Sequence, residues 1–520
     1  MDCDVLICGL GPVGQLLANL LGAYGIRTIA IDEAAAPYAL PRAAVIDDEV
    51  LRILQAAGLD EAVLADAQVQ RTVSFISRRG RRMVILRPGD SGLGHPAMVS
   101  IHQPSMERAL VAGLQRHADV DVRWGQRLES LDQSTDHVTA HLRPTAGGGP
   151  SRPLRARWLV ACDGARSPVR TRLGIAFGGS TFAQRWLVVD ALVDRPVAGA
   201  PHPHFVGDPR RPVVSVPMPG GRHRWEWMLH PGEDEAPFLE HARIRALMAP
   251  ALNGERVQIE RAVVYAFHAR TASRWRAGRV LLAGDAAHVM PPFVGQGFSS
   301  GARDAGNLAW KLDAVLHGAP DRLLDSYESE RRPHVRQTQR RAVQLGGIVQ
   351  TTHPALARVR DLIVQTLDRA GALARLQGRA KPPATYARGA FAGRPHRLAA
   401  HRGVGALFPQ PRIRLGDGGE HRLDDQLGAG WAALCVQPAA ARALQTAGLA
   451  VLSIPQDLSD PSATITTWLR RHDATWVLLR PDRYVFAAGG LDDVGAAVMA
   501  VGDQLSTGLR TAVASPGSSR

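Results

Sequence analysis

A glycine-rich turn near the start constrains the fold of this chain more than any other segment. Residues 9–14 read GLGPVG, after an apolar run typical of a buried parallel strand and before a helical pattern at residues 15–21. In such a unit Gly9 permits the tight turn, Gly11 lets the backbone approach a pyrophosphate, and Gly14 lets helix and strand pack closely. The helix N-terminus offers unpaired N–H groups to the phosphates. The segment predicts a dinucleotide site that includes Pro12 and Val13.

An acidic pair follows the next predicted strand, residues 28–31. Asp32 lies 18 positions after the last glycine of the turn. This is close to the spacing of roughly 20 residues expected for the acid that binds the adenosine ribose. Asp32 or its neighbour Glu33 is therefore predicted to bind that ribose.

Length and composition fit a soluble enzyme with two or three cores. Of 520 residues, 45% are hydrophobic and 21% are charged, which is ordinary for a globular protein. An uncharged stretch at residues 5–26 has about the length of a membrane span, but acidic residues precede it and polar residues interrupt it, so no span is predicted. The four cysteines show no CxxC or metal-type spacing. We therefore predict no disulfide, no metal site and a cytoplasmic location.

The strong positive charge does not point to nucleic acid. The net charge is +14, and the excess is almost entirely arginine, with Lys311 and Lys381 the only lysines. The arginines are scattered rather than gathered into a stripe with interleaved aromatic residues. We therefore predict no nucleic-acid partner, while anionic cofactors and acidic substrates remain compatible with the charge.

A second strand–loop–helix segment adds a flavin to the prediction. Residues 279–283 form a predicted strand that Gly284 and Asp285 close, and a loop leads to a helix that starts around Gly297. An aspartate at a strand end can accept hydrogen bonds from a ribityl hydroxyl. The helix N-terminus behind Gly295 would direct N–H groups at the flavin N1–C2=O edge, where negative charge collects on reduction.

The pattern of strands and helices predicts an α/β fold in several parts. Residues 1–72, 101–178 and 271–380 are predicted to form a discontinuous, doubly wound (Rossmann-like) FAD-binding domain. Residues 73–100 and 179–270 show strand alternation and are predicted to form an inserted mixed or antiparallel sheet that binds the substrate. Residues 381–512 read as a separate β/α region, and the tail 513–520 is predicted to be disordered.

Several motifs together resemble one enzyme family. They are residues 9–14, 41–43, 46–49, 103–104, 161–164, 279–288, 295–297, 304–311 and 480–483. In these the chain resembles class A (group A) flavoprotein monooxygenases, the para-hydroxybenzoate hydroxylase superfamily, and more narrowly the bacterial 3-(3-hydroxyphenyl)propionate hydroxylases. The similarity covers roughly residues 3–335 and resumes near the end.

The resemblance implies a thioredoxin-like C-terminal domain, although Cys435 is the only cysteine there. Packing, pocket closure or homodimer contact is expected of that domain rather than dithiol chemistry.

The resemblance also implies further cofactor residues. Arg42 and Gln103 would hold the FAD pyrophosphate and ribityl region, and Asp285 the ribityl chain. Asp163, with Gly164, would serve both FAD and the nicotinamide cofactor. The isoalloxazine would be bordered by Pro292 and by the backbone from Gly295 to Phe298.

The family chemistry would be aromatic hydroxylation. NADH or NADPH would reduce FAD, O2 would give a flavin C4a-hydroperoxide, and a phenol would attack it to give a diol. The substrate would be a phenylpropionate-like acid or a larger polyketide-like phenol. A Baeyer–Villiger or epoxidising monooxygenase and a non-oxygenase flavoprotein are the alternative functions.

The residue that activates the phenol is not fixed by any motif. His204, His268 and Tyr265 lie in the predicted sheet region and are candidates, beside Pro292 at the flavin. Trp225 and Trp227 alternate on a strand and share a face, so they line either an aromatic substrate pocket or an ordinary sheet core.

Overall fold

The computed structural model describes residues 1–78, 80, 82–197, 199–252, 254–373, 384–392, 402–416 and 418–505. The predicted mixed α/β class is confirmed: two large sheets and a smaller C-terminal one are packed against helices. Lys381 and the predicted disordered tail, 513–520, lie outside the described residues. The domain boundaries stay predictions.

The first large sheet carries the glycine-rich turn. Its strands run in the order Arg276–Ala277, Val280–Leu282, Arg152–Ala161, Cys3–Cys8, Thr28–Asp32 and Val120–Trp124, with Val138–Pro144 and Gln126–Gln133 added beside Arg152–Ala161. The four central pairings are parallel. Helices cover both faces of such a sheet, which explains why its strands read as apolar runs. The parallel strands end at one edge, where the turn, Asp163 and Asp285 meet.

The second large sheet forms from three separate stretches of chain. Its order is His288–Val289, Val257–Ala272, Phe177–Val193, Arg222–Met228, Val213–Pro217, His204–Gly207, Val73–Ser77 and Arg82–Leu86. All pairings are antiparallel except that of Val73–Ser77 with His204–Gly207. Met98–Ile101, which we expected in this sheet, pairs instead with Val45–Asp47 and Ala67–Val69 in a small sheet beside the FAD-binding part.

The helices begin and end where local sequence dictates. Asp47 caps the helix Asp48–Ala56 by accepting from the Val50 N–H. The helix Gln103–Leu114 has Pro104 in its first turn, a position that suits proline because the N–H there needs no partner within the helix. In the part before residue 374, the helices are Pro12–Ala23, Asp48–Ala56, Asp60–Leu64, Gln103–Leu114, Pro168–Arg172, Ala236–Leu239, His241–Leu252, Gly297–Leu316, Asp325–Val349 and Pro354–Arg369. Short 3-10 turns lie at Gly284–Ala286, Pro292–Val294 and Asp321–Leu324.

The C-terminal part has its own sheet and cores. The strands run Ala450–Ser453, Ala432–Cys435, Trp476–Leu479 and Val485–Gly489, and a smaller sheet joins Glu420–Arg422, Arg412–Leu415 and Leu458–Ser459. The helices are Leu423–Leu427, Pro438–Thr446, Thr464–Arg471 and Val494–Leu505, with a 3-10 turn at Leu491–Asp493. Apolar clusters fill both faces of the larger sheet. Burial raises the pKa of the Cys435 thiol to about 12, which suits packing rather than redox chemistry. The thioredoxin-like assignment stays a prediction.

A buried ionic group, which we call the Glu330 cluster, joins this C-terminal part to the first. It consists of Lys311, Glu330, Arg480, Asp482 and Asn307. Glu330 accepts from both Arg480 terminal nitrogens, at 2.8 and 3.0 Å, and from Lys311 Nζ at 2.9 Å. The side chains of Lys311, Glu330 and Arg480 have no exposed surface. Together the two cations hold the pKa of Glu330 down at about 2 although burial opposes this.

Among the described residues, the helices are all too short or too polar to qualify as membrane spans.

Candidate active site

A cavity of about 1360 Å³ lies between the two large sheets. It begins at the carboxyl edge of the first sheet and extends over the second sheet to the helix Asp325–Val349. A pocket for one drug-sized molecule occupies about 300–1,000 Å³. The cavity is therefore large enough to hold a dinucleotide and a further aromatic molecule.

The glycine-rich turn forms one end of this cavity. Gly9 has a φ of +102°, and a Cβ there would overlap the Cys162 backbone. A Cβ on Gly14 would overlap the Gly9 carbonyl oxygen, so helix and turn touch as the spacing predicts. A Cβ on Gly11 would meet nothing within 4 Å, because it would point into the cavity. This arrangement leaves a cradle that fits a pyrophosphate.

The two acids after the second strand are held differently. Asp32 accepts from the Leu10 N–H at 2.7 Å and from the Ala34 N–H at 2.8 Å, so it fastens the turn while it lines the cavity. Each carboxylate oxygen keeps a lone pair for a ribose hydroxyl. Glu33 also lines the cavity but pairs with Arg127 on the surface. We therefore favour Asp32 as the ribose ligand.

Gln103 and Arg42 lie together at the cavity wall. Gln103 Oε1 accepts from the Arg42 and Ala43 N–H groups at 3.0 and 2.5 Å, and its amide nitrogen donates to Glu107 at 2.6 Å. Both ends of the amide are thus engaged within the protein. Gln103 is better placed to position the loop that carries Arg42 than to bind the cofactor by its side chain.

Two aspartates present oxygen atoms that lack protein partners. Asp163 accepts from the Val169 N–H through Oδ2, while its buried Oδ1 has no hydrogen-bond donor in the described part of the chain. Asp285 is exposed only toward the cavity, although protein surrounds it. Burial raises the pKa of both carboxyls. Hydroxyl donors of a ribityl chain would satisfy these oxygens, so the residues present fit FAD.

The start of the helix Gly297–Leu316 forms the far end of the cofactor region. Pro292, Gly295, Gly297 and Phe298 line the cavity, and Gly295 adopts the left-handed φ of +63° that the turn into the helix requires. The helix N-terminus therefore faces the cavity, as predicted for the flavin N1–C2=O edge.

A polar network beneath this turn was missed at the level of sequence. Gln296 accepts from Arg303 Nη1 at 2.9 Å and donates to Asp47 Oδ2 at 3.0 Å. Arg303 in turn pairs with Asp47 and Glu49 at 2.5 and 2.6 Å. The network fixes the Gln296 side chain at the cavity. The only signal in the sequence was the acidic run at residues 47–49.

The structure brings nearly all predicted cofactor residues to one surface. Gly14 and Gly284 do not line the cavity, because they serve close packing behind it: Gly284 has a φ of +60° and lies against Val13. The lining includes Gly9, Gly11, Pro12, Val13, Asp32, Glu33, Arg42, Gln103, Asp163, Gly164, Asp285, Pro292, Gly295, Gly297 and Phe298.

Of the four predicted catalytic residues, Pro292 lines the cavity, but the three candidates for the activating base do not. Strand alternation turns Phe205 toward the cavity and His204 away from it, toward the His202 carbonyl. His268 pairs with the Thr181 hydroxyl at 3.0 Å on an outer part of the sheet. The Tyr265 hydroxyl is bonded to Arg261. These three predictions are corrected, since none of the three side chains is among the residues that line the cavity.

Trp225 and Trp227 share a face of their strand, as predicted, but this face is turned away from the cavity. Their rings stack at 6.4 Å and pack against Phe238, Ile244 and Met248 from the helices behind the sheet. The alternative of a substrate pocket is therefore wrong for this pair. The alternate residues of the same strand, Arg224 and Glu226, line the cavity instead.

Comparison with known proteins agrees with this geometry. The model of the FAD binding domain family matches residues 2–342, and that of the HcaD C-terminal domain matches residues 405–454 and 453–504. A 3-(3-hydroxy-phenyl)propionate/3-hydroxycinnamic acid hydroxylase of Mycobacterium sp. (strain JLS) is 38% identical, over 94% of this chain and 89% of the relative. The enzyme of the same name from Escherichia coli O8 is 36% identical, over 93% of this chain and 91% of its own.

Solved structures share the fold over similar lengths. Anhydrotetracycline hydroxylase from Streptomyces rimosus is 25% identical with a TM-score of 0.78, and the match covers 98% of this chain and 100% of that one. For p-nitrophenol 4-monooxygenase from Pseudomonas putida the identity is 28% and the TM-score 0.66, over 72% and 97% of the two chains.

The family match spans most of the chain and includes the cavity residues just described. The chain therefore belongs to the FAD binding domain family, as an FAD-dependent aromatic hydroxylase that uses NAD(P)H and O2.

Proposed function

We propose that the substrate is a small phenolic acid of the 3-(3-hydroxyphenyl)propionate type, hydroxylated in the cytoplasm. The observation that carries the proposal is one cavity in which the cofactor residues adjoin an apolar sheet face and an arginine, Arg341. The relatives named for this substrate are 35–41% identical to this chain. The site residues given above are part of the proposal.

The protein positions the substrate and excludes water from the reacting atoms. When bound, FAD supplies the hydride acceptor and the site of oxygen activation. The apolar part of the cavity would exclude water and hold the aromatic ring close to the flavin, which favours reaction because the reacting atoms are preoriented. The residues of this apolar part are Val73, Leu86, Phe205, Val214, Val216 and Phe293.

Arg341 is our candidate for the group that binds the substrate carboxylate. It lies on the helix Asp325–Val349, half-buried at the cavity wall. An arginine can bind a carboxylate through two parallel N–H donors. A phenol held at both ends, by its ring and by its acid, would be fixed in one orientation.

The variant Arg341→Gln is expected to raise the KM for 3-(3-hydroxyphenyl)propionate about 10- to 100-fold, because a hydrogen bond to a charged group contributes roughly 1.5–3 kcal/mol. The KM for 3-propylphenol, which lacks the acid, should change by less than about threefold. Steady-state NAD(P)H oxidation measured with product analysis checks both values. Arg340→Gln, a change at the neighbouring helix position, is the matched control. Equal losses for both phenols would contradict the assignment of Arg341.

A larger polyketide-like phenol is the second candidate, and the cavity volume of about 1360 Å³ favours it. A screen of phenylpropionates and polycyclic phenols for stimulated NADH and NADPH consumption, with products identified by mass, separates the two. Hydroxylation of polycyclic phenols alone would reject the phenolic acid. Oxidation of NAD(P)H without oxygen incorporation from any phenol would reject both.

A further inference from the structure

Glu226 is a buried carboxylate that faces the cavity without a partner. It is only 9% exposed and lines the cavity from the strand Arg222–Met228. Within the described part of the chain, no donor lies within hydrogen-bond distance of its carboxylate and no cation within ion-pair distance. A buried charge without a partner is costly, and such groups are retained where a ligand or a reaction uses them.

The neighbouring arginine is already engaged elsewhere. Arg224 donates to Asp190 through Nε and Nη2, at 2.7 and 3.0 Å. It also donates to the carbonyl of Arg42 at 2.6 Å and to that of Pro41 at 3.3 Å. Arg224 therefore holds the loop at the cofactor wall and shares the carboxylate of Asp190 with Arg261, whose Nη1 lies 3.7 Å from it. Glu226 is left to interact with whatever enters the cavity.

The position of Glu226 suits a role beside the flavin region. It shares the cavity face of its strand with Arg224, which contacts the loop of Arg42. On its other side, Met228 belongs to the same hydrophobic cluster as Phe293, next to Pro292 of the predicted flavin wall. Glu226 thus lies between Arg224 and Met228 on the cavity face of its strand.

We infer that Glu226 is the catalytic base, which accepts the proton of the substrate's phenolic hydroxyl; this rests on the function proposed above. The phenol O–H bond breaks, the proton passes to a carboxylate oxygen of Glu226, and the electron pair stays on the phenol oxygen. The ring carbon ortho or para to that oxygen becomes more nucleophilic. After hydroxylation the ring carbon loses its own proton to water, the C–H electron pair restores the aromatic ring, and the proton on Glu226 returns to the phenol oxygen.

The surroundings also make Glu226 a stronger base than an exposed glutamate. Burial raises the pKa of Glu226, the like charge of Asp190 raises it further, and Arg224 on the same strand lowers it. The strand Val213–Pro217 faces the cavity with Val214 and Val216, and the helix on the other side contributes Arg341. A carboxyl with a raised pKa is a stronger base than a surface one, and general bases work best with a pKa close to the working pH.

The substrate that this site selects is a phenol whose hydroxyl points toward the sheet. The negative charge of Glu226 repels a carboxylate, so the acid group of a phenolic acid would lie at the Arg341 end. A methyl ether of the phenol has no proton to give and should not be hydroxylated.

The test compares FAD-loaded wild type with Glu226→Gln, Glu226→Asp and the control Glu260→Gln. Glu260 is a carboxylate of the same sheet that pairs with Arg222 and does not line the cavity. The probes are 3-(3-hydroxyphenyl)propionate and 3-propylphenol. Hydroxylation, NAD(P)H oxidation, peroxide release and flavin content are measured from mildly acidic to alkaline pH.

For Glu226→Gln we expect kcat for hydroxylation to fall about 10²- to 10⁴-fold, the range typical of a general base. Its KM should change by less than tenfold, and NAD(P)H oxidation should continue with release of peroxide. We expect kcat/KM of wild type to fall at acidic pH. This fall should disappear in Glu226→Gln and remain in Glu226→Asp and Glu260→Gln.

Two results would overturn the inference. If Glu226→Gln retains its flavin and hydroxylates within threefold of wild type with an unchanged pH profile, Glu226 is not the base. If Glu226→Gln, which has no acid at this position, keeps the acidic fall in kcat/KM, the fall belongs to another group. Failure of wild type itself to hydroxylate either phenol would instead reject the proposed function, and the inference with it.

Discussion

The variant Gly14→Ala is expected to purify almost free of FAD. A Cβ at this position would overlap the Gly9 carbonyl oxygen, a backbone atom that cannot swing aside. The helix Pro12–Ala23 would have to move away from the turn, and the N–H groups that face the pyrophosphate would move with it. Overpacking of this kind costs about 1–3 kcal/mol, so the FAD dissociation constant should rise as much as about 150-fold. The ratio of flavin to protein absorbance, and titration of the apoprotein with FAD, measure the effect.

Two further glycine variants distinguish the effect of helix packing from the effect of close approach by the cofactor. Gly11→Ala should weaken FAD binding but leave the stability of the apoprotein unchanged, because its Cβ would point into the cavity. Gly347→Ala lies on an exposed helix face where a Cβ meets nothing within 4 Å, so it should leave FAD binding unchanged and raise stability by about 0.5–1 kcal/mol, as alanine does in place of a helical glycine. A Gly14→Ala protein that is as yellow and as stable as wild type would contradict the role of the turn.

The variant Glu330→Leu is expected to lose about 3–5 kcal/mol of unfolding free energy, the usual effect of removing one partner from a buried ion pair. The change would leave Lys311 without a counter-ion, and Arg480 with Asp482 alone. Chemical denaturation followed by tryptophan fluorescence measures the loss. The control Glu420→Leu removes a surface carboxylate whose partner is Arg414, and should cost at most about 1 kcal/mol.

The dependence of stability on acidic pH provides a second test of Glu330. The pKa of Glu330 is about 2 in the fold, against an ordinary value of 4.5. A carboxyl with a lowered pKa contributes stability above its ordinary pKa, and this contribution is lost as the pH falls from about 4.5 toward 2. Wild type should therefore lose more stability over this interval than Glu330→Leu. An equal loss in both proteins would show that other carboxyls cause the acid sensitivity.

The cofactor side was predictable because its signals are local. The spacing after a strand identifies Gly14, a glycine whose Cβ would overlap the backbone. The helix Gly297–Leu316 was also predictable, since it begins at Gly297 as expected. The exception is Gln103. A polar residue at a helix start gives no sign of whether its amide faces a ligand or, as here, fastens a loop some 60 residues away.

The part of the site that faces the substrate could not be predicted from the sequence. The alternation of residues along a strand defines two faces, but it does not show which of them another element of the fold buries. Trp225 and Trp227 share a face in both prediction and structure, but the packing of the helix His241–Leu252 against the sheet decides that this face is buried. An isolated acid between two tryptophans, Glu226, reads as a solvent-facing residue. Only the structure shows that Glu226 faces the cavity.

The Glu330 cluster also bears on how the protein is made. Arg480 lies 150 residues after Glu330. While the ribosome is still adding those residues, Glu330 is paired with Lys311 alone, and its second cation has not yet been synthesised. Products that end before residue 480 would lack this second ion pair and the contacts of the C-terminal part, and we expect proteases to remove them in the cell even though every cofactor residue is already present.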